Sequence, residues 1–143
     1  MATLRLTHTY RFSASHRLHA PELSDEENQR LYGRCNNPHG HGHNYVVAVT
    51  VEGAVDPATG MVVPPGALDE LLHRQVVSVY DHKYLNFDVP EYAGITATTE
   101  NMAVAIQERL RAAWPAGFPA LVHLRVQETK RNSIELSVIE EVV

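Results

Sequence analysis

The sequence predicts an α+β domain in which an antiparallel sheet carries two helices on one face. Four segments alternate apolar and polar residues with the period of two that is typical of half-buried strands, and two segments repeat apolar residues at helical spacing. The order is strand, strand, helix, helix, strand, strand, so two hairpins enclose both helices. We interpret residues 1–143 as a single domain, because the chain has no linker, internal repeat or low-complexity segment.

The first strand is predicted from an alternation in the first 14 residues that places Phe12 and Ala14 on one face. If this strand continues without a bulge, His16 lies on the same face just beyond its end. The second strand is the β-branched run that follows His43 and stops near Gly53. The third strand has Val122, Leu124 and Val126 on its apolar face, and the fourth has Ile134, Leu136 and Val138.

Residues 67–80 are predicted to form a helix with one apolar stripe, made of Leu68, Leu71, Leu72, Val76 and Val79. A second helix begins at Thr98–Asn101, where threonine caps and an early glutamate suit a helix N-terminus, and ends before Pro115. Capping-box spacing after Ser24 indicates a further short helix. A four-stranded sheet has two free edges, which proteins usually cover or pair, so we expect self-association.

Composition limits the functions that the chain can have. The hydrophobic fraction of 44% and the charged fraction of 20% are typical of a soluble globular protein, and a net charge of −5 argues against general nucleic-acid binding. No apolar run approaches the ~20 residues that a membrane span requires. The single cysteine cannot form an internal disulfide, which fits a reducing cytoplasm. We therefore expect a cytoplasmic protein with no nucleic-acid or membrane partner.

His41 and His43, at the start of the second strand, indicate a metal site. Side chains two apart on a strand share a face, so the two imidazoles would project together. Imidazoles suit zinc, and a catalytic zinc typically has three protein ligands and one open position. His16 is the best third ligand, because the end of one strand can lie beside the start of the next. His39 has the same spacing from His41, but its surroundings favour a turn.

Three further groups allow a chemical and a structural interpretation. Cys35 is a candidate base whose thiolate a nearby metal would favour, or else a small buried residue. Asp81 and His82 form a candidate proton-transfer pair, or else an ordinary helix C-terminus. Glu128 continues the apolar parity of the third strand, so its carboxylate could accept two parallel hydrogen bonds from a ring with adjacent N–H donors. The alternative for Glu128 is a strand end exposed to solvent.

Taken together, these residues resemble the 6-pyruvoyltetrahydropterin synthase / 6-carboxytetrahydropterin synthase family. The resemblance extends from Phe12 to about Glu135 and rests on six segments in the same order: FSASHRL, CNNPHGHGHNY, DPATGMV, DHKYLN, TTEN and QET. It implies the tunnelling fold, in which three subunits close their sheets into a β-barrel. Two such trimers stack into a homohexamer in that family, and the active site lies between subunits.

The resemblance also implies which residues act. It implies Zn²⁺ bound by His16, His41 and His43. It matches the family's catalytic group to Cys35, Asp81 and His82. It matches the pterin anchor to Glu128, with a surrounding pocket made of Thr98, Thr99 and Glu100.

The substrate that the resemblance implies is 7,8-dihydroneopterin triphosphate, which a zinc-dependent lyase converts to 6-pyruvoyltetrahydropterin with loss of triphosphate, as in tetrahydrobiopterin biosynthesis. Zinc would act as a Lewis acid on the side-chain oxygens. The leaving group is strongly anionic, so positive charge is needed near it. The candidates are cations adjacent to motif residues: Arg17, Arg34 and Lys83.

The alternative product is 6-carboxy-5,6,7,8-tetrahydropterin, made from the same substrate in queuosine biosynthesis. The six-residue spacing from Cys35 to His41 resembles the pyruvoyl-forming enzymes, whereas ten arginines against two lysines suggest a bacterial source, where the carboxy-forming role is frequent. Ser137 stands where the family commonly has tyrosine, and the tail after it lacks the usual ending. A non-catalytic pterin- or metal-binding protein and a purely structural zinc protein are the remaining alternatives.

Overall fold

A computed structural model gives the structure of residues 2–138, in which helices pack on one face of a five-stranded sheet. The strands are β1 (Thr3–His16), β2 (His41–Ala54), β3 (Lys83–Tyr84), β4 (Ala120–Thr129) and β5 (Asn132–Ser137), arranged in the order β3-β1-β2-β4-β5. The four long strands pair antiparallel, as predicted. The two-residue β3 was not predicted; it pairs parallel with β1 through Ala14 and Ser15. The α+β fold class is confirmed, and residues 139–143, which include most of the atypical tail, lie outside the described residues.

The three predicted helices are present, whereas the short helix Leu85–Asp88 was not predicted. Residues 67–80 form one continuous helix that is α-helical at Ala67–Leu72 and Ser78–Tyr80 and has a π turn at His73–Val77. The other helices are Asp25–Tyr32, Leu85–Asp88 and Thr99–Ala113, with 3₁₀ turns at Gly33–Asn36 and Pro90–Ala93. Both predicted N-caps are present: Ser24 accepts a hydrogen bond from the Glu27 amide and Thr98 from the Asn101 amide, each at 3.1 Å. Satisfying these first-turn amides fixes where each helix begins.

The apolar core lies between the sheet and the helices. Alternate residues of β2, from Tyr45 to Val51, are fully buried, and the Tyr45 ring stacks on Phe12 at 5.2 Å. Each buried side chain of this size stabilises the fold by about 1.5–3 kcal/mol. The opposite face of the sheet is polar, with a Thr7–Thr50 hydroxyl contact at 2.7 Å and an Arg5–Glu52 ion pair. This polarity explains why the helices cover only one face.

The prediction that Val122 is a core residue of β4 is wrong. Leu121, not Val122, is buried, whereas Leu124 and Val126 face the core as predicted. The pairing of β2 with β4 shifts register between Thr50 and Val51, so the parity of β4 changes before Leu124. A bulge of this kind breaks the simple alternation on which the prediction rested.

The turn before β2 requires a glycine. Gly40 has φ of 85°, and a Cβ at this position would lie 2.6 Å from Cε2 of Tyr84. Glycine adopts positive φ at no steric cost, so Gly40 allows the chain to pass Tyr84 and enter β2 at His41. No helix within residues 2–138 combines the length and apolar character needed to cross a lipid bilayer.

Candidate metal centre and active site

The end of β1 and the start of β2 bring three histidines to the core face of the sheet. His16 pairs with His41 and Ala14 pairs with His43, so the side chains at these positions project from the same face. His16 is fully buried, and its Nε2 lies 3.1 Å from Nε2 of His43. The His41 ring packs edge-on against that of His43, with centroids 4.7 Å apart. The prediction that these imidazoles project together is confirmed.

The Nε2 atoms of His16 and His43 have a spacing that suits two zinc ligands. Tetrahedral zinc with Zn–N bonds of about 2.0–2.1 Å separates two ligand nitrogens by roughly 3.3 Å, close to the observed distance. Nδ1 of His16 lies 2.7 Å from the carbonyl oxygen of Ala97, which can only accept, so Nδ1 carries the proton and Nε2 keeps its lone pair. Burial lowers the pKa of both histidines, which favours the neutral imidazoles that a metal needs. These residues therefore fit a zinc ion.

Cys35 lies beside this pair of histidines, within reach of a metal ion that they would hold. The ligand atoms that lie within 4.8 Å of one another belong to His16, Cys35 and His43, and the Cys35 Sγ is 3.9 Å from Nε2 of His43. His41 is adjacent but is not a member of this set. The 3₁₀ turn Gly33–Asn36 carries the cysteine, and its carbonyl oxygen accepts a hydrogen bond from the Leu18 amide at 2.7 Å.

The state of the Cys35 thiol depends on a nearby cation. Burial raises the pKa of Cys35, and the carboxylate of Glu128 raises it further. In the protein alone the group is therefore a thiol. A divalent cation between His16 and His43 would oppose both influences and favour the thiolate, which is the reactive form.

Glu128 faces the same point from β4. Its side chain is 11% exposed, with Oε1 at 3.7 Å from Nε2 of His43 and Oε2 at 4.0 Å from Nε2 of His16. The buried Thr99 hydroxyl donates to Oε2 at 2.6 Å and orients the carboxylate. The alternative of a solvent-exposed strand end is therefore wrong. Thr98, Thr99 and Glu100 were expected to surround Glu128. Within residues 2–138 only Thr99 of these is hydrogen-bonded to it, whereas Thr98 caps the helix and Glu100 is exposed.

Asp81 and His82 lie at the outer edge of β1, after the end of the helix at Tyr80. Asp81 Oδ1 accepts from the Ser13 amide at 2.9 Å, and the His82 amide donates to the Ser13 carbonyl oxygen at 2.6 Å. Oδ2 of Asp81 and Nε2 of His82 are 3.3 Å apart, as a proton-transfer pair requires. Within residues 2–138, no hydrogen bond or ion pair joins either side chain to His16, Cys35 or His43.

His82 is exposed and has an unusual backbone. Its side chain is 81% exposed, and its φ of 60° is the one positive value among the described residues other than glycine. A left-handed residue other than glycine costs roughly 1–2 kcal/mol, and such strain is concentrated at functional sites. With Lys83, it borders a cavity of about 540 Å³ that His43 also borders, together with Ser13, Ser15 and Asn44. These last three side chains face away from the metal centre.

Known proteins resemble this chain in sequence and in fold. The family model of 6-pyruvoyl tetrahydropterin synthase matches residues 5–138. The chain belongs to the 6-pyruvoyl tetrahydropterin synthase family. Its resemblance to that family, inferred above from six short segments, is thereby confirmed.

Members of the 6-pyruvoyl tetrahydropterin synthase family from animals are similar over most of their length. The 6-pyruvoyl tetrahydrobiopterin synthase of Homo sapiens is 50% identical over 123 residues, covering 86% of this chain and 83% of that protein. The protein of the same name from Poecilia reticulata is 47% identical over 129 residues, covering 90% of this chain and 86% of that protein.

Solved structures agree with the fold. The 6-pyruvoyl tetrahydropterin synthase of Caenorhabditis elegans superposes with a TM-score of 0.87 at 35% identity, covering 97% of this chain and 98% of that chain. The Plasmodium vivax 6-pyruvoyl tetrahydropterin synthase has a TM-score of 0.64 at 15% identity, covering 96% of this chain and 100% of that chain. The second likeness supports the fold alone.

Sequence reasoning missed the residues that support the family's motif residues. The Ala97 carbonyl sets the tautomer of His16 from a position 81 residues away in the sequence. Asn36 donates to the Leu18 carbonyl oxygen at 2.7 Å, next to the cysteine turn. The hydroxyl of Tyr45 is buried with no hydrogen-bond partner among residues 2–138. Asn36 and Tyr45 belong to the segment CNNPHGHGHNY, so the family resemblance could have identified them as supporting residues. The role of the Ala97 carbonyl could not be predicted, because every residue has a backbone carbonyl.

Proposed function

We propose that this protein is a zinc-dependent lyase that converts 7,8-dihydroneopterin triphosphate to 6-pyruvoyltetrahydropterin with release of triphosphate. The observation that carries this proposal is the convergence of His16, His43, Cys35 and Glu128 on one point. Family membership supports it, and the human and Poecilia reticulata relatives are named for the same product. Such a protein would work in the cytoplasm as part of tetrahydrobiopterin-type pterin metabolism.

Zinc would be held by His16 and His43, with His41 as the third ligand that the family resemblance implies. When bound, it supplies a Lewis acid that polarises the oxygens of the substrate side chain. His41 shares a sheet face with the other two imidazoles and its ring contacts that of His43, so its ring needs only side-chain rotation to approach them. Cys35 then remains available as a base.

Cys35 removes a carbon-bound proton from the substrate side chain in this proposal. A thiolate is a suitable base once a cation offsets the burial and the Glu128 charge that raise its pKa. Its position 3.9 Å from Nε2 of His43 keeps it beside the polarised oxygens. A positioned base of this kind contributes about 10²–10⁴-fold to turnover.

Glu128 would anchor the pterin ring. A carboxylate accepts parallel hydrogen bonds from adjacent N–H donors, which fixes orientation as well as adding binding energy. The Thr99 hydroxyl fixes the orientation of this carboxylate through the 2.6 Å hydrogen bond. Because Glu128 is within 4.0 Å of the His16 and His43 nitrogens, a ring anchored there places its side chain next to them.

Asp81 and His82 would serve the active site of a neighbouring subunit. His82 is exposed and Asp81 is half-buried at the edge of β1, and within residues 2–138 no hydrogen bond or ion pair joins them to the histidine cluster, which supports a site assembled from two chains. Among the described residues, β3 pairs with β1 only at Ala14 and Ser15, and no strand pairs with the outer edge of β5. These edges suit the closure of three sheets into a barrel and a homohexamer made of two trimers.

The test is incubation of zinc-loaded protein with 7,8-dihydroneopterin triphosphate, with mass spectrometry of the products. We expect triphosphate and 6-pyruvoyltetrahydropterin. Release of acetaldehyde with a carboxylated pterin would instead assign the queuosine-type reaction. Absence of triphosphate release, under conditions where the human enzyme is active, would contradict the proposal and favour a pterin- or metal-binding protein without catalysis.

The ligand assignment has its own test in two matched variants. His41→Ala should lose bound zinc, whereas Cys35→Ala should keep stoichiometric zinc and lose turnover by about 10²–10⁴-fold. Metal content by elemental analysis separates the two effects. If Cys35→Ala loses the metal and His41→Ala keeps it, the cysteine is the third ligand and cannot also be the base.

A further inference from the structure

Arg17 and Arg34 line one cavity of about 640 Å³, which the exposed carboxylate Asp25 also borders. Arg17 directly follows His16, and Arg34 directly precedes Cys35, so both are attached to the backbone that forms the metal centre. Lys83, the third cation considered from sequence, borders the separate cavity beside His82. The structure therefore separates two candidates for an anion site from the third.

Arg17 differs from the other half-buried arginines in having no acidic partner. The half-buried arginines among residues 2–138 are Arg17, Arg109 and Arg125. Arg109 pairs with Glu91, and Arg125 pairs with Glu135 at 3.5 Å, whereas no described carboxylate lies within 4.0 Å of the Arg17 guanidinium. Partial burial of an unpaired charge is costly, so a site of this kind is stabilised by an anionic ligand.

Arg17 is also held in a fixed position. The amide of Arg17 donates to Oδ1 of Asn86, and Nδ2 of Asn86 donates to the Arg17 carbonyl oxygen, both at 2.8 Å. Nε of Arg17 donates to the carbonyl oxygen of Asn36 at 3.2 Å. The terminal nitrogens of the guanidinium make no hydrogen bond to the described part of the chain, so they can donate to a ligand without reorganisation.

Arg17 follows the end of β1, and its Nε donates to the carbonyl oxygen of Asn36, the residue after Cys35, so it lies on the β1 side of the histidine cluster, whereas Glu128 lies on the β4 side. β2, which carries His43, lies between β1, which leads into Arg17, and β4, which ends after Glu128. A ligand anchored at Glu128 that extends toward Arg17 therefore passes the imidazoles. A pterin with a phosphorylated side chain has the corresponding order: ring, hydroxylated carbons, phosphate.

We propose that Arg17, with Arg34 as a second cation, binds the triphosphate of the pterin substrate. This proposal rests on the proposed function and names the residues that recognise the leaving group. The planar guanidinium matches two phosphate oxygens at once, which a lysine ammonium does not. Arg34 is more exposed, and its contribution is correspondingly smaller because solvent and salt screen it.

The test compares ligands with and without phosphate in wild type and Arg17→Gln. The variant should raise the KM for 7,8-dihydroneopterin triphosphate by about 10- to 100-fold, the range expected for lost hydrogen bonds to a charged group. The inhibition constant of inorganic tripolyphosphate should rise by a similar factor. Binding of 7,8-dihydroneopterin, which has no phosphate, should stay within about twofold because its anchor at Glu128 is intact.

Three matched variants are the controls. Arg30→Gln removes an exposed arginine on the helix Asp25–Tyr32 that does not line the cavity, and it should change none of these constants. Arg17→Lys keeps the charge without the planar fork and should restore only part of the affinity. Lys83→Gln should leave tripolyphosphate inhibition unchanged. Zinc content is measured before and after each titration, because polyphosphate also binds free metal.

The proposal would be overturned by an unchanged tripolyphosphate inhibition constant in Arg17→Gln, or by an equal loss of 7,8-dihydroneopterin binding. A loss caused by Lys83→Gln in place of Arg17→Gln would overturn it as well. Failure of the proposed function is distinguishable, since wild-type protein would then release no triphosphate from the substrate. Direct calorimetry with tripolyphosphate needs no turnover, so dependence on Arg17 there supports the anion site by itself.

Discussion

The buried candidate metal centre and the Asp81–His82 pair at the edge of β1 have opposite physical character. His16 is fully buried, and its Nδ1 is fixed by the Ala97 carbonyl 81 residues further along the chain. The His82 side chain is 81% exposed, and it stands on a strained backbone with φ of 60°. The first region is positioned by packing within the chain, whereas the second is positioned by two hydrogen bonds to Ser13 and presented outward.

This difference is what the proposed division of the active site between subunits requires. In that proposal, metal binding and ring anchoring would depend on buried, neutral or hydrogen-bonded groups that one chain organises by itself. Proton transfer would depend on His82, which one chain leaves open to solvent and a second chain can cover. Water exclusion, which strengthens every electrostatic contact in an active site, would then occur only in the oligomer.

The largest effect is expected on zinc binding and turnover when one histidine from each region is replaced by alanine. His43→Ala should abolish stoichiometric zinc binding and reduce turnover by about 10³-fold or more, because Lewis-acid stabilisation is worth several kcal/mol. His82→Ala should retain zinc. Elemental analysis with steady-state kinetics measures both, and His39→Ala, in the exposed turn before Gly40, is the control. Zinc loss in His82→Ala would show that the regions are not independent.

Mixed oligomers test whether the regions act across chains. Cys35→Ala and His82→Ala should each lower turnover by about 10²–10⁴-fold when alone. After dissociation and joint reassembly, about a quarter of the sites should combine an intact Cys35 with an intact His82 from a neighbour, so activity should return to that fraction. If the pair acts in its own chain, no site in the mixture is complete and activity stays at the single-variant level.

A smaller effect is expected at the residue that holds Glu128. Thr99→Val removes the 2.6 Å hydrogen bond to Glu128 and should raise the KM for the pterin substrate by about 10- to 100-fold. Thr99→Ser keeps a hydroxyl and should restore most of the affinity. Zinc content should not change, since Thr99 contacts the carboxylate and not the imidazoles. An unchanged KM in Thr99→Val would contradict the anchoring role of this contact.

The smallest expected effect concerns the turn that leads into His41. Gly40→Ala should destabilise the fold by about 1–3 kcal/mol, through positive φ and the contact with Tyr84, and lower Tm by several degrees. Gly60→Ala is the matched control, because Gly60 also has positive φ but nothing lies within 4 Å of a Cβ there. Differential scanning calorimetry measures both. If both variants lose the same free energy of unfolding, the Tyr84 side chain moves to accommodate the new methyl group, and only the positive φ destabilises the fold.

Periodicity and local chemistry predicted most of the fold and much of the site. The alternation in β1 placed His16 on the core face, and the spacing of His41 and His43 placed them together, because parity along a strand is a local property. The caps at Ser24 and Thr98 were predicted for the same reason. Val122 was placed on the wrong face, since the bulge that shifts its register arises from pairing with a distant strand.

The sequence by itself determined the set of chemical groups: imidazoles, a single thiol, a carboxylate at a strand end and arginines beside the motifs. The tertiary structure decided which of them meet. The Cys35 sulfur lies 3.9 Å from Nε2 of His43, whereas His41 lies outside the set of ligand atoms that converge. Asp81 and His82 lie at the outer edge of β1. Lys83 and Arg17 line different cavities. The physical reason is that spacing along the chain fixes only the face on which a side chain lies. Distances between strands and loops depend on packing contacts between residues far apart in sequence.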